Sequence, residues 1–228
     1  AMYKFLQKNH GTSNIIVLRK KGAQEDMLKG LFSNAEASTT GVSLKLKFAN
    51  LNDNFTSDQI RPFLDSSKNN VVVACSLDEN FARQLASRLA FMDDIYPMQL
   101  FGMPTWDGIR DFEKKEYRGL QIIYTTPFYN AKSDKISIAI TNHYRTAFYS
   151  RPSDMVFRGF ETLLRFGKLL IDKGPNLASS IGEKKYRVFT DFDIQPVFCN
   201  KQSPTLDYFE NKKLYFVKMI DGVIKGVL

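Results

Sequence analysis

Val71-Val72-Val73-Ala74-Cys75 is an unbroken apolar run, followed at once by Ser76-Leu77-Asp78 and a helical pattern reaching Met92. A strand with one wet face alternates, so a continuous β-branched run is the mark of a strand covered on both faces. Between Asp78 and Met92 the residues Phe81, Leu85, Leu89 and Met92 recur at three and four and share one helical stripe. A buried strand feeding an amphipathic helix is half of a βαβ unit. Working outward, the same pair recurs. Upstream lie a short helix over 2–9 with Tyr3, Phe5 and Leu6 on its apolar side, and the strand Asn14–Leu18. A helix from Gln24 to Glu36 follows, with Met27, Leu28, Leu31, Phe32 and Ala35 on one side, and then an alternating strand Leu44–Phe48. A short helix Ser57–Leu64 comes next, capped by Thr56 or Ser57 and shortened by Pro62. Downstream come strand Met98–Phe101, a short helix Trp106–Glu116 and strand Leu120–Thr125. Strands alternating with helices predict a mainly parallel sheet, and right-handed crossovers put helices on both of its faces, a three-layer αβα arrangement.

The rhythm changes after Pro127. Two helices follow, Asp134–Tyr149 and Ser153–Asp172, separated at Arg151-Pro152 because a residue before proline is pushed out of helical geometry. Lys173-Gly174-Pro175 stops the second. The tail, 186–228, is strand-like and aromatic-rich. Within Leu214–Leu228, Asp221-Gly222 joins two apolar segments and predicts a hairpin, since a two-residue primed turn needs positive φ. This organisation divides the chain into a βαβ core, 1–130, and a helical pair with terminal strands, 131–228. The two parts are also readable as one continuous domain.

Composition narrows the function classes. With 228 residues, 19 Phe and 10 Tyr there is ample apolar surface for a core, and no apolar run approaches a membrane span. The net charge of +8 comes from short basic groups (Arg19-Lys20-Lys21, Lys114-Lys115, Lys184-Lys185, Lys212-Lys213), most of them beside acidic residues. They read as solvated surface, so no nucleic-acid partner is expected. The start, Ala1-Met2-Tyr3-Lys4-Phe5, lacks the apolar segment of a secretion signal, which says little about location. Cys75 and Cys199 match no metal or redox spacing. Cys75 reads as a buried thiol, with a single disulfide as the alternative. His10 and His143 are the only histidines. There is no Gly-x-Ser-x-Gly elbow, no Walker loop and no His- or Cys-rich cluster. No catalytic residues, metal or cofactor are expected, and the chain reads as a non-enzyme. An α/β enzyme of flavodoxin-like or transferase type is the third choice.

A family resemblance sharpens this. Thr141-Asn142-His143-Tyr144-Arg145-Thr146-Ala147-Phe148 leads through Arg151-Pro152 into Phe157-Arg158-Gly159-Phe160-Glu161-Thr162-Leu163-Leu164. This resembles type I periplasmic binding proteins (the branched-chain amino-acid receptor fold), where a helix ending Tyr-x-x-x-Phe meets a proline loop and a Gly-Tyr-Asp-Ala-like helix. Phe160 and Glu161 replace the usual Tyr and Asp. Asn14–Leu18, Val71–Ser76, Gly102–Trp106, Tyr124–Tyr129 and Phe216–Lys225 fall in the order of that family's second half. The resemblance implies a receptor-like ligand-binding module of the bacterial envelope or periplasm, closing around amino acids or similar small polar molecules. The alternative it leaves open is an envelope scaffold with a degenerate site, associated with peptidoglycan. In the family a first lobe precedes the equivalent of residue 2. Its absence here implies either a chain beginning mid-protein or a lost lobe. It also implies weak ligand binding, and a homodimer or rearranged tail to cover the helical pair.

Open α/β sheets bind ligands at the carboxyl ends of their strands, and three segments qualify. Ser76 and Asp78 follow the third strand, and offer either polar ligand contacts or a cap for the helix beginning near Glu79. Thr105 and Trp106 follow the fourth. Trp106 is either a flat cleft wall with one N–H donor or a lid on the sheet edge with Thr105 as helix cap. Tyr124 and Tyr129 flank Thr125-Thr126-Pro127-Phe128, as hydroxyl-bearing residues of a hinge strand or as interlobe core.

Overall fold

A computed structural model describes residues 1–200 and 203–227. It divides into two compact units, Ala1–Thr126 with Phe216–Leu228, and Pro127–Tyr215. The sequence-based division was 1–130 and 131–228; residues from Phe216 onward group with the first unit.

The first unit begins with α1 (Met2–Asn9), β1 (Asn14–Arg19), α2 (Ala23–Ala37), β2 (Leu46–Asn50), α3 (Ser57–Ile60) and β3 (Asn70–Ala74). It continues with α4 (Glu79–Ala90), β4 (Met98–Phe101) and β5 (Gln121–Thr126), and the tail supplies β8 (Tyr215–Ile220) and β9 (Val223–Gly226). The sheet order is β2-β1-β3-β4-β5-β8-β9. The pairs β1·β2, β1·β3, β3·β4 and β4·β5 are all parallel, in registers such as Val17↔Val73 and Val72↔Leu100. The expected parallel layer is therefore present, and the runs at 14–18, 71–75 and 120–125 lie in it. Because β1 connects outward to β2 while β3 connects the other way to β4, right-handed crossovers place α2 and α4 on opposite faces.

Strand alternation divides the core accordingly. Ile15, Val17, Val71, Val73, Cys75, Phe101 and Ile123 share one cluster with Tyr3 and Leu6 of α1 and Phe32 of α2. Ile16, Val72, Leu100 and Ile122 point the other way and are equally buried, so neither face is wet. The Tyr3 hydroxyl accepts from the Leu44 N–H at 3.2 Å and ties α1 to the chain entering β2. At the β8–β9 turn Asp221 and Gly222 have φ of 52° and 74°. These are the two positive values a type I′ turn requires, and the strands pair antiparallel as expected. Leu228 lies outside the described residues.

Three expectations need correction. The second strand begins at Leu46, not Leu44. On α2, Met27 and Leu31 are 59% and 56% exposed, and the stripe facing the core is Leu28, Phe32 and Ala35 with Glu25. Five apolar positions spread wider than the helix's buried face. The helix expected over Trp106–Glu116 is three 3₁₀ turns, Pro104–Gly108, Arg110–Glu113 and Lys115–Tyr117. Trp106, Ile109 and Phe112 are all buried and recur at three, which the three-residue turn aligns and the α-helix does not.

The second unit contains α5 (Lys135–Phe148), α6 (Asp154–Lys173), α7 (Leu177–Ser180), and the antiparallel pair β6 (Ile194–Asn200) and β7 (Ser203–Asn211). The helices match the expected pair to within a residue or two. Asp134 caps α5 through the Ser137 N–H, Tyr149 closes it in left-handed geometry, and Gly174 ends α6 with a φ of 50°. On α6 the buried residues are Phe157, Glu161, Arg165 and Leu169, four apart. Glu161 accepts from the Phe189 and Thr190 N–H groups, both at 2.7 Å, and from the Thr190 hydroxyl at 2.6 Å. Arg165 donates to the Glu183 carbonyl at 2.6 Å and lies over the Phe192 ring at 4.7 Å. A buried acid and a buried base thus pin the loop between α7 and β6.

Candidate functional site at the carboxyl edge of the sheet

In a 2-1-3-4-5 parallel order the chain reverses direction between β1 and β3, and the crevice outside those strand ends is where open α/β sheets hold ligands. Here that position is filled by charge. Lys20, directly after β1, pairs with Asp53 at 2.7 Å and Asp78 at 2.8 Å. Its neighbour Arg19 bonds Asp26 at 2.5 Å and the Asn50 side chain at 2.8 Å. The Ser76 hydroxyl donates to the buried Glu25 carboxylate at 2.7 Å and accepts the Asp78 N–H at 3.2 Å. Two cations therefore face four carboxylates. Hydrogen bonds to Asp53 and then Asp78 hold the Lys20 ammonium well above the usual lysine range, so it stays charged. The bond from Lys20 draws the Asp78 carboxyl below its ordinary value, with the Asn80 and Phe81 N–H groups adding to it against partial desolvation.

The six residues singled out from the sequence are placed as follows. Asp78 is the N-cap of α4, accepting from the Asn80 and Phe81 N–H groups. Ser76 is fully buried beside it. Thr105 is exposed within the first 3₁₀ turn and is not its cap, which is Met103. Trp106 is 1% exposed, packed on Phe112 at 5.2 Å between ring centroids, and its indole N–H has no hydrogen-bond partner among the described residues. Tyr124 is buried in β5, and Thr126 at the strand's end donates to Asp107 at 3.2 Å. Tyr129 is half-buried and belongs to the second unit. Ser76 and Asp78 are thus brought together, and Thr105 and Trp106 sit in one turn.

Sequence reading missed Arg19, Lys20, Glu25 and Asp53. It treated Arg19-Lys20-Lys21 as solvated surface, whereas Arg19 is buried and Lys20 is the hub of the edge. The available signal was position: Arg19 ends a buried strand and Lys20 follows it, much as Ser76 follows another. Cys75 and Cys199 are free thiols, not a disulfide. Burial pushes the Cys75 thiol up to about 11, which leaves it protonated and unreactive at neutral pH. No group of His, Cys, Asp and Glu suited to a metal occurs among the described residues.

Asp78→Ala should destabilise the first unit by about 1 kcal/mol, the usual cost of an N-cap, in urea denaturation followed by Trp106 fluorescence. Asp78→Asn keeps the cap and loses the ion pair, and should cost less than about 1 kcal/mol. The pH dependence has a definite sign. Since Asp78 is depressed in the folded state, its contribution is complete above the unfolded carboxylate value of about 4 and is lost as pH falls through the lower folded value.

Solved structures place this architecture. The chain aligns with a putative branched-chain amino acid ABC transporter protein from Rhodospirillum rubrum at TM-score 0.62 and 13% identity, over 99% of this chain and 63% of that one. An ABC transporter substrate-binding protein from Desulfitobacterium hafniense aligns at TM-score 0.60 and 11% identity, with the same coverage. The fold is that of the type I periplasmic binding proteins. An amino acid ABC transporter substrate-binding protein from Pseudomonas fluorescens Pf-5 has the same type I fold, at TM-score 0.55 and 8% identity over 100% of this chain and 61% of its own. This chain therefore spans about 63% of the length of the first two of these structures, a partial resemblance. No family model and no curated protein matches the sequence. No helix among the described residues is long and apolar enough to cross a membrane.

Proposed function

We propose that this chain is a non-enzymatic, receptor-like binding module of the bacterial cell envelope or periplasm, and that it meets small polar molecules, amino acids among them, at the carboxyl edge of its sheet. The observation that carries this reading is the polar cluster Lys20, Asp53, Ser76 and Asp78 at the point where strand order reverses. Four carboxylates against two cations favour a ligand carrying an ammonium group. Thr105 and Trp106 are proposed to border the same edge, with Tyr124 behind them. Support also comes from the neighbouring structures, one described as a putative branched-chain amino acid ABC transporter and another as an amino acid ABC transporter substrate-binding protein.

A second reading has its own observation. Ser76, Asp78 and Lys20 already spend their hydrogen bonds on one another and on Glu25 and Asp53, and Trp106 is packed away. A saturated edge suits a scaffold with a degenerate site, whose net charge of +8 would favour anionic envelope polymers such as peptidoglycan.

Two-dimensional NMR titration with a panel of amino acids separates the two. The receptor reading expects weak binding, on the order of millimolar, with shifts confined to residues 19–22, 52–54, 76–80 and 103–107, and abolished in Asp53→Asn. Absence of shifts at saturating amino acid, or shifts elsewhere, overturns it. Co-sedimentation of the chain with peptidoglycan sacculi would then support the scaffold.

A further inference from the structure

Lys20 places a primary ammonium where the crevice of the sheet opens. The sheet order puts β1 between β2 and β3, and Lys20, the first residue after β1, reaches to both sides. Its Nζ lies 2.7 Å from Asp53, on the turn after β2, and 2.8 Å from Asp78, which opens α4. The Asn80 and Phe81 N–H groups hold the Asp78 carboxylate in place, so one side of the grip is fixed. The other side is open: the Asp53 side chain is 77% exposed, against 27% for that of Lys20. Two carboxylates from separate loops that both touch one –NH₃⁺ are what charge-assisted recognition of a free amine needs. The amine here is the chain's own. Its bonds to Asp53 and Asp78 keep it protonated far above neutral pH, so deprotonation does not release it and a competing cation must.

We propose that Asp53 and Asp78 form an ammonium subsite and that Lys20 is its tethered occupant, an autoinhibitory contact that an amine-bearing ligand has to displace. As a regulation of the binding edge, this rests on the reading given under the proposed function. A group tied on by a four-carbon stem competes at an effective concentration above the roughly millimolar value of a flexible linker. A free amine with millimolar intrinsic affinity therefore meets a subsite that is mostly taken, and its apparent affinity falls by the fraction left open. Exchanging one ammonium for another also leaves the number of ion pairs unchanged. Weak binding by the intact chain then has a specific cause. Removing Lys20 strengthens amine binding, whereas removing Asp53 abolishes it.

Two-dimensional NMR titration of the full chain and of Lys20→Ala with n-propylammonium, which restores the atoms that alanine deletes, tests this. The expected result is binding to Lys20→Ala at least about tenfold tighter than to the wild type, with shifts at residues 52–54 and 76–80. Tetramethylammonium, a cation without N–H donors, should not reproduce those shifts, and Asp53→Asn in the Lys20→Ala background should abolish them. Lys20→Met keeps most of the stem and loses the charge, and serves with ammonium chloride against sodium chloride if the alanine variant does not fold. Equal affinity in wild type and variant overturns the proposal, as do shifts that tetramethylammonium or sodium matches. Propylammonium binding as expected, with no amino acid shifting the edge of either chain, supports Lys20 as the occupant and overturns the receptor reading instead.

Discussion

Glu161→Ala is expected to destabilise the second unit by about 3–5 kcal/mol, the cost of breaking a buried charged network by removing one partner. Glu161 is 1% exposed, and its two oxygens accept three hydrogen bonds from Phe189 and Thr190. Alanine leaves those donors buried without acceptors, and leaves the Arg165 guanidinium without the nearby negative charge that offsets its burial. Glu161→Gln should fall between, because an amide oxygen can still accept while its NH₂ confronts donors. In a double-mutant cycle, Glu161→Ala with Arg165→Met should cost less than the two single changes added together. The chain's only tryptophan, Trp106, lies in the first unit, so this loss is read by hydrogen exchange. Amides 187–192 should lose protection while those of β1, β3 and β4 keep theirs.

Gly102→Ala should cost the first unit about 3 kcal/mol, at the upper end of overpacking penalties. A Cβ there would sit 2.0 Å from Cε3 and 2.1 Å from Cδ2 of Trp106. No real contact is that short, and the ring has little room to retreat, being 1% exposed and braced by Phe112. The indole must leave its slot, and Trp106 emission should move to longer wavelength together with a lower urea midpoint. Trp106→Leu in the Gly102→Ala background should recover part of the loss, measured by circular dichroism. A Gly102→Ala protein with native emission and midpoint would mean that the indole is not seated on this glycine.

Much of the first unit was legible because its strands are covered on both faces. Ile15–Leu18 and Val71–Ala74 tolerate no polar residue, so their sequence announces them. The Asp221-Gly222 turn was legible because few residue pairs accept two positive φ values. Segment 104–117 was not, since a short run of apolar residues three apart also passes for an amphipathic α-helix, and the closer alignment that a 3₁₀ turn gives them shows only once the side chains are packed. At the carboxyl edge, strand ends gave Ser76 and Asp78 their place. Their partners were hidden because Lys20, Asp53 and Glu25 lie 23 to 58 residues away in sequence, and the pairing depends on β1, β2 and β3 lying side by side. Charge counts cannot distinguish a solvated lysine from one held by two aspartates.

The placement of β8 and β9 has a consequence during synthesis. They continue the sheet beyond β5, yet the ribosome must first make residues 127–215. At roughly 5–20 residues per second that is a delay of several seconds. Throughout it the nascent chain displays β5 as a bare edge, the kind of border that recruits foreign strands. Expression at high yield should therefore be limited by that waiting time, and slowing translation ahead of residue 216 should send more of the product into inclusion bodies.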